Sequence, residues 1–142
     1  MAFGNKNSTP SFVLTLPIKV TEQDEIFLSK KFRVGCTVYN RMVTKTTKMW
    51  HQLRKTREHK NLIKAIKAAP ANSDERKALL VQRSNLIKQA GFSEGAFHKL
   101  VVPYQKAYNV NCDVVQKVAS AVWKAWDDFF YGKGKTVHYK KL

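Results

Sequence analysis

Residues 28–53 read LSKKFRVGCTVYNRMVTKTTKMWHQL, and they carry the longest helical pattern of the chain. Apolar or small side chains recur there in steps of four and three residues, a spacing that places them on one stripe of an α-helix. The stripe comprises Leu28, Phe32, Gly35, Tyr39, Met42, Thr46, Met49 and Leu53, whereas Lys30, Arg33, Arg41, Lys45, Lys48 and Lys55 lie on the opposite arc. The stretch therefore predicts one long helix with a packing face and a cationic face.

The rest of the chain is punctuated by helix-capping residues. Thr21, with Asp24 three residues later, has the pattern of a capping box, so the long helix is expected to begin there. Residues 54–67 are expected to continue it as far as Pro70. Further helices are predicted after Asn72 or Ser73, after Ser93 with a kink or break at Pro103, and after Asn111.

Two short segments favour β-strands. Residues 11–20 alternate apolar and polar side chains, and residues 136–141 (TVHYKK) form a basic aromatic segment after a Gly-Lys turn. The predicted fold class is mainly α: four to five helices, with short β-strands at both ends. Residues 1–10 are predicted to be a flexible start, and residues 11–142 a single domain with its helical bundle at 21–131.

Charge is the strongest compositional signal. The 142 residues contain 26 Lys+Arg and 10 Asp+Glu, a net charge of +16, which indicates a polyanionic partner: RNA or DNA first, an anionic membrane surface second. No run of eighteen apolar residues predicts a membrane span. The two cysteines form neither a disulfide framework nor a CxxC pair, so a cytoplasmic protein is expected, nucleoid-associated in a prokaryote.

The basic residues concentrate between Lys30 and Lys67, where twelve of them accompany a single acid, Glu58. Solvated helix faces usually mix the two signs, so this run predicts contact with phosphates. Trp50, at the edge of the run, could either stack on a base or pack in the core, whereas Tyr39, Trp123 and Trp126 are predicted core residues. The candidate nucleic-acid-binding residues are Lys30, Arg33, Arg41, Lys45, Lys48, Trp50, His51, Arg54, Lys55, Arg57, Lys60, Lys64, Lys133, Lys135 and Lys140.

Motifs for catalysis or metal binding are lacking in the sequence. None of the four histidines stands at HExxH or triad-like spacing, and His51 and His59 lie in the most basic region, where contact with RNA is the favoured interpretation. Asp127 and Asp128 are adjacent, so on a helix their carboxylates point about 100° apart. No catalytic residue, metal ligand or cofactor is predicted for this chain.

Two motifs carry a resemblance to a known family. Gln23, Gly35, Val38, Tyr39 and Asn40 fill the pattern of the opening helix of OrfB/TnpB-type transposon-encoded proteins, and Ala125, Trp126, Phe129, Phe130, Gly134, Tyr139 and Lys140 fill a second signature of that family. One position departs from it, because Val137-His138 stands where the family usually has a proline before the basic strand. The chain thus resembles the front third of these proteins.

The resemblance implies the wedge-and-recognition region of an RNA-guided DNA nuclease, related to the compact type V CRISPR effectors. Such a region would grip guide RNA and the guide–target heteroduplex through their backbones, while base pairing reads the sequence. The family's Mg²⁺ and Zn²⁺ belong to a RuvC-like nuclease domain and a zinc ribbon, which would act with this chain in cis or in trans. The alternative is a stand-alone basic helical protein, such as an RNA chaperone or a DNA-packaging factor. A small hydrolase using His51 or His98 ranks far lower.

Overall fold

The computed structural model describes residues 13–141, so the predicted flexible start at residues 1–10 lies outside the described residues. Six helices follow one another in this part of the chain, and the mainly α prediction is confirmed. They are α1 (Glu22–Lys55), α2 (Arg57–Ala68), α3 (Asp74–Gln89), α4 (Glu94–Leu100), α5 (Val102–Tyr108) and α6 (Cys112–Phe130).

The predicted helix starts are confirmed at their caps. At Thr21 both halves of a capping box form: the backbone N–H of Thr21 donates to Asp24 Oδ2 at 3.1 Å, and the backbone N–H of Asp24 donates to Thr21 Oγ1 at 3.2 Å. Side chains of Ser73, Ser93 and Asn111 accept backbone N–H groups at the starts of α3, α4 and α6. These bonds satisfy donors that a helix start would otherwise leave unpaired.

The long helix ends earlier than predicted, because Thr56 separates α1 from α2. Thr56 has φ −63° and ψ 144°, outside the helical region. Its hydroxyl donates to the carbonyl oxygen of Leu53 at 2.7 Å and accepts from the backbone N–H of His59 at 3.3 Å. One side chain therefore closes α1 and opens α2, and the predicted continuity through residues 54–67 is wrong. The break expected at Pro103 falls between α4 and α5, where the proline occupies the first turn of α5.

The two predicted β-strands do not form, and no strand occurs anywhere in residues 13–141. Residues 13–20 are exposed along their whole length, and Pro17 removes one backbone donor that a ladder would need. At the other end, the backbone N–H and carbonyl of Lys140 bond to the side chain of Asn40 instead of to a strand. Strands need a backbone partner, and neither segment has one in the described residues.

The core lies where α1, α4 and α6 pack together, with α2 against α3. Aromatic rings from three parts of the chain meet there, among them Trp50, Phe92, Trp126 and Phe130. The indole N–H of Trp126 donates to Thr46 Oγ1 at 2.8 Å, so these two buried polar groups satisfy each other. The core predictions for Tyr39 and Trp126 are confirmed.

The apolar stripe of α1 is only partly buried. Burial begins at Val38, whereas every residue from 22 to 33 is exposed. Leu28 retains 43% and Phe32 71% of its accessible surface, so the predicted packing of these two side chains is wrong. The front of α1 extends beyond the helices that cover its remainder. No helix in residues 13–141 is long and apolar enough to cross a membrane.

Candidate nucleic-acid interface

A row of cationic side chains runs along the exposed side of α1. This row, the α1 ridge, consists of Lys30, Arg33, Arg41, Lys45 and Lys48, all of them exposed. At 1.5 Å per residue the ridge spans about 27 Å of a helix about 51 Å long. The cap and first turn hold the acids of α1, at positions 22, 24 and 25, and residues 26–55 contain eight Lys or Arg and no acid. The ridge therefore presents charge of one sign.

In the described residues, no carboxylate forms a salt bridge with a cation of the ridge. Within residues 13–141 two ion pairs form, Lys77 with Asp74 on α3 and Lys124 with Asp128 on α6, and His98 Nε2 lies 4.0 Å from Glu94 Oε1 on α4. A helix face held only by solvent and counterions releases those counterions when it meets a polyanion. The electrostatics of the ridge thus favour a phosphate backbone.

A second cluster lies where α1 meets α2. Here a cleft of about 550 Å³, the junction cleft, opens at the end of α1. Its lining combines five of the predicted binding residues with one buried imidazole and two uncharged side chains: Arg54, Lys55, Arg57, Lys60, Lys64, His59, Asn61 and Ile63. The structure thus brings these five predicted residues together at the end of α1, beyond Lys48, the last residue of the ridge.

His59, for which the sequence favours contact with RNA, is the buried member of the junction cleft. The residue is 6% exposed, and its ring meets Trp50 edge-on with the centroids 5.5 Å apart. Burial lowers the pKa of His59, and the positive charges of Arg83 and Arg54 lower it further, so the ring is neutral at pH 7. The sequence held a signal for its burial, because His59 precedes Leu62, Ile63 and Ile66 at helical spacing.

The three candidate binding residues near the C-terminus do not lie together. Lys140 lies beside α1, with its ammonium 5.0 Å from the centroid of the Tyr39 ring. Asn40 fixes it there: the side-chain Nδ2 donates to the carbonyl of Lys140 at 2.9 Å, and Oδ1 accepts from its backbone N–H at 2.8 Å. Lys133 and Lys135 lie in the turn after α6, exposed and on neither α1 nor α2.

Trp50 is a core residue and not a stacking platform. It is 8% exposed, and its ring contacts those of Phe92, Trp126 and Phe130. The guanidinium of Arg54 lies 6.0 Å from its centroid. No face of the indole is free to receive a base, so its proposed role in binding is wrong, whereas His51 is exposed one position later.

A groove of about 400 Å³ between α1 and α6 was not anticipated from the sequence. Its walls are largely apolar, with Phe32, Tyr39 and Val118 among them, and Lys31, Lys117 and Lys140 also line it. Lys117 could have been suspected, since it follows Val114 and precedes Val118 and Ala121 on one side of α6. The groove is therefore an apolar surface depression with basic residues in its lining.

The histidine most suggestive of catalysis has the wrong connections. His98 Nε2 lies 2.9 Å from Ser120 Oγ, but that hydroxyl donates to Glu94 Oε1 at 2.8 Å. In a triad the carboxylate orients the imidazole and leaves the hydroxyl proton to it. Here the serine hydroxyl donates its hydrogen bond to the carboxylate and not to the imidazole. The three side chains therefore connect α4 to α6.

Metal ligands are likewise not gathered: in the part of the chain that the structure describes, no three His, Cys, Asp or Glu side chains are placed to hold an ion. Comparison of the chain with known protein families, with curated proteins and with solved structures finds no match.

Proposed function

We propose that this chain binds polynucleotides through their phosphate backbone, with the α1 ridge as its main contact surface. The observation that carries the proposal is the charge of α1, eight basic residues and no acid over residues 26–55, on a helix whose other side is buried from Val38 onward. Such a surface gains affinity from released counterions whatever the base sequence.

The ridge suits recognition of shape and charge. Lys and Arg contacts to phosphates fix position and orientation but carry no sequence information. Trp50 is buried, and the exposed rings on the ridge side of α1, Phe27 and Tyr139, offer stacking, a contact that tolerates any base. Any sequence selectivity would therefore come from base pairing within the bound nucleic acid, as in RNA-guided effectors.

We further propose that the chain is the recognition region of an OrfB/TnpB-like protein, binding guide RNA and the RNA–DNA heteroduplex, with cleavage supplied by a nuclease domain in cis or in trans. Two contacts support this proposal: Asn40, from the first family motif, pairs with Lys140, from the second, and the hydroxyl of Tyr139 lies 3.2 Å from that of Thr44. The stand-alone chaperone or packaging factor is the second candidate, and the net charge of +16 alone favours it equally.

Neutralising the ridge tests the binding surface. The variant Arg41→Gln/Lys45→Gln/Lys48→Gln removes three exposed charges and leaves the buried side of α1 intact. Each phosphate contact contributes about 0.9 to the slope of log K against log salt on duplex DNA, so the slope falls by about 2.7 and affinity in about 0.15 M salt falls about a hundredfold. Fluorescence anisotropy over a salt series measures both quantities.

A matched control variant has the same net charge as the ridge variant but keeps the ridge intact. Lys88→Gln/Lys99→Gln/Lys106→Gln removes three exposed lysines from α3, α4 and α5. It should retain the wild-type slope within about one unit. Equal losses in both triple variants would mean that net charge, and not the ridge, drives binding, and the proposal would be wrong.

The two candidate roles differ in their preferred nucleic acid. A recognition region should bind an A-form RNA–DNA heteroduplex more tightly than B-form DNA of the same length and salt, because the two backbones differ in geometry. A packaging factor should show no such preference. Competition between the two duplexes for one labelled probe measures the ratio, and a ratio near one favours the stand-alone role.

A further inference from the structure

The junction cleft has a charge composition that is unusual even for this chain. Six of its eight lining residues are basic or imidazole, and the other two are Asn61 and Ile63. The nearest acid, Glu58, lines a neighbouring cleft between α2 and α3 with Leu62 and Leu79. In the described residues no salt bridge involves any side chain of the junction cleft. Five cations thus share one concave site without a protein counter-charge.

The backbone adds to this positive potential. Arg57 is the first residue of α2, a helix of twelve residues, so the positive end of the helix dipole lies at the cleft. The first N–H groups of a helix have no helical acceptors, and Thr56 accepts only that of His59 through its hydroxyl. Glu58 is the one acid in the first turn of α2, and it lines the neighbouring cleft, whereas five cations line the junction cleft. The potential at this helix start therefore favours an anion.

A buried polar atom at the same place is an independent observation. His59 Nε2 is inaccessible to solvent and has no hydrogen-bond partner, although the residue is 94% buried and lines the cleft. An unpaired buried nitrogen is costly, and native proteins seldom retain one without a functional reason. The ring lines the cleft, so a ligand bound there lies beside an imidazole that has one unpaired nitrogen.

We propose that the junction cleft is a subsite for one phosphate group. The inference deepens the proposed function and rests on it, since the phosphate would be part of the bound polynucleotide. The guanidinium groups of Arg54 and Arg57 can each offer two parallel N–H donors to a tetrahedral oxyanion, and Lys60 and Lys64 supply point charges. The cations of the ridge are spread along about 27 Å of helix, whereas those of the open cleft are gathered at one place.

Inorganic pyrophosphate is the probe that tests the subsite. Titration into the ¹⁵N-labelled chain should move the imidazole signals of His59 saturably, and calorimetry should give a matching dissociation constant. The variant Arg57→Gln/Lys60→Gln should weaken pyrophosphate binding more than tenfold, because it removes two exposed cleft cations without touching the core. The control Arg41→Gln/Lys45→Gln removes the same charge from the α1 ridge and should leave this affinity within about twofold. Circular dichroism checks that both variants keep their helices.

Two sources of phosphate are distinguished with oligonucleotides. If the cleft takes a terminal monoester, a 5′-phosphorylated strand binds more tightly than its unphosphorylated twin, and Arg57→Gln/Lys60→Gln abolishes that difference. If it takes an internal diester, the variant weakens both strands equally. Either result supports the subsite.

The inference is overturned if millimolar pyrophosphate leaves the His59 signals unmoved, or if the cleft variant binds pyrophosphate as tightly as the wild type. The proposed function is tested by a different result. It is wrong if the ridge variant binds polynucleotides with the affinity and salt slope of the wild type, and in that case pyrophosphate would still bind at the cleft. The two failures are therefore distinguishable within one set of proteins.

Discussion

The buried hydrogen bond between Trp126 and Thr46 offers a quantitative test of the core. The indole N–H donates to Thr46 Oγ1 at 2.8 Å, and the Thr46 hydroxyl donates in turn to the carbonyl of Met42 at 2.8 Å. Thr46 is fully buried and Trp126 is 3% exposed, so water cannot replace a lost partner. The pair joins α6 to α1 at the back of the helix that carries the ridge.

Thr46→Val keeps the side-chain volume but leaves the indole N–H without an acceptor. The free energy of unfolding should fall by about 1–3 kcal/mol, the cost of burying an unsatisfied donor. When Trp126→Phe has already removed that donor, the same Thr46→Val change should cost well under about 1 kcal/mol, since little polar mismatch is left. The coupling energy of the cycle should therefore be about 1–2 kcal/mol.

Urea unfolding followed by circular dichroism at 222 nm gives the four free energies, provided that the m-values agree. Additivity within about 0.5 kcal/mol would show that the two groups do not interact, and the packing of α6 on α1 would have to be revised. Trp126→Ala, which also opens a cavity, should cost about 3–5 kcal/mol. A Trp126 variant that keeps its stability yet loses affinity for RNA would make the indole a binding residue and refute its place in the core.

Three further predictions concern other parts of the chain. Asn40→Ala should accelerate amide exchange at Lys140, because the backbone N–H loses its acceptor; unchanged exchange would show that the contact does not hold the C-terminal segment. Burial keeps His59 neutral by lowering its pKa below 6.5, so the unfolded chain takes up the proton first. The free energy of unfolding should fall as the pH drops below about 6.5 and stay level above it, and His59→Gln should flatten that dependence in urea titrations at pH 7.5 and 5.5. With Mg²⁺ or Mn²⁺ the chain should not nick supercoiled plasmid; nicking abolished by Asp127→Ala/Asp128→Ala would contradict this.

Local chemistry accounts for the parts of the fold that the sequence predicts well. Thr21, Ser73, Ser93 and Asn111 cap helices as expected, because a cap depends only on residues within the next turn. The exposed arc of α1 is likewise local, since helical spacing alone separates its cations from Met42 on the buried side. Most of the candidate binding residues are therefore placed as their spacing predicts.

Contacts between distant parts of the chain account for three of the wrong predictions. Whether residues 136–141 pair as a strand depends on which backbone lies alongside, and here the neighbour is the side chain of Asn40, a hundred positions earlier than Lys140. The exposure of Phe32 depends on how far the other helices reach along α1. The burial of Trp50 depends on Phe92 and Phe130, which no local pattern connects to it.

The break at Thr56 could have been read from the sequence, and it explains how both cationic surfaces arise. In an uninterrupted helix with about 100° per residue, Arg57, Lys60 and Lys64 would stand about 180°, 120° and 160° around from Lys30 and Lys48 of the ridge, on the side that is buried. The apolar residues that follow, Leu62 and Ile66 among them, would face outward with the cations of α1. The apolar stripe of α1 and that of α2 are therefore out of phase by roughly half a turn. A continuous helix would bury the cations of α2 at a cost of several kcal/mol per ion. Ending α1 at Lys55 and starting α2 with a new axis lets both apolar stripes pack, and the same change of direction leaves the cleft where the basic side chains converge.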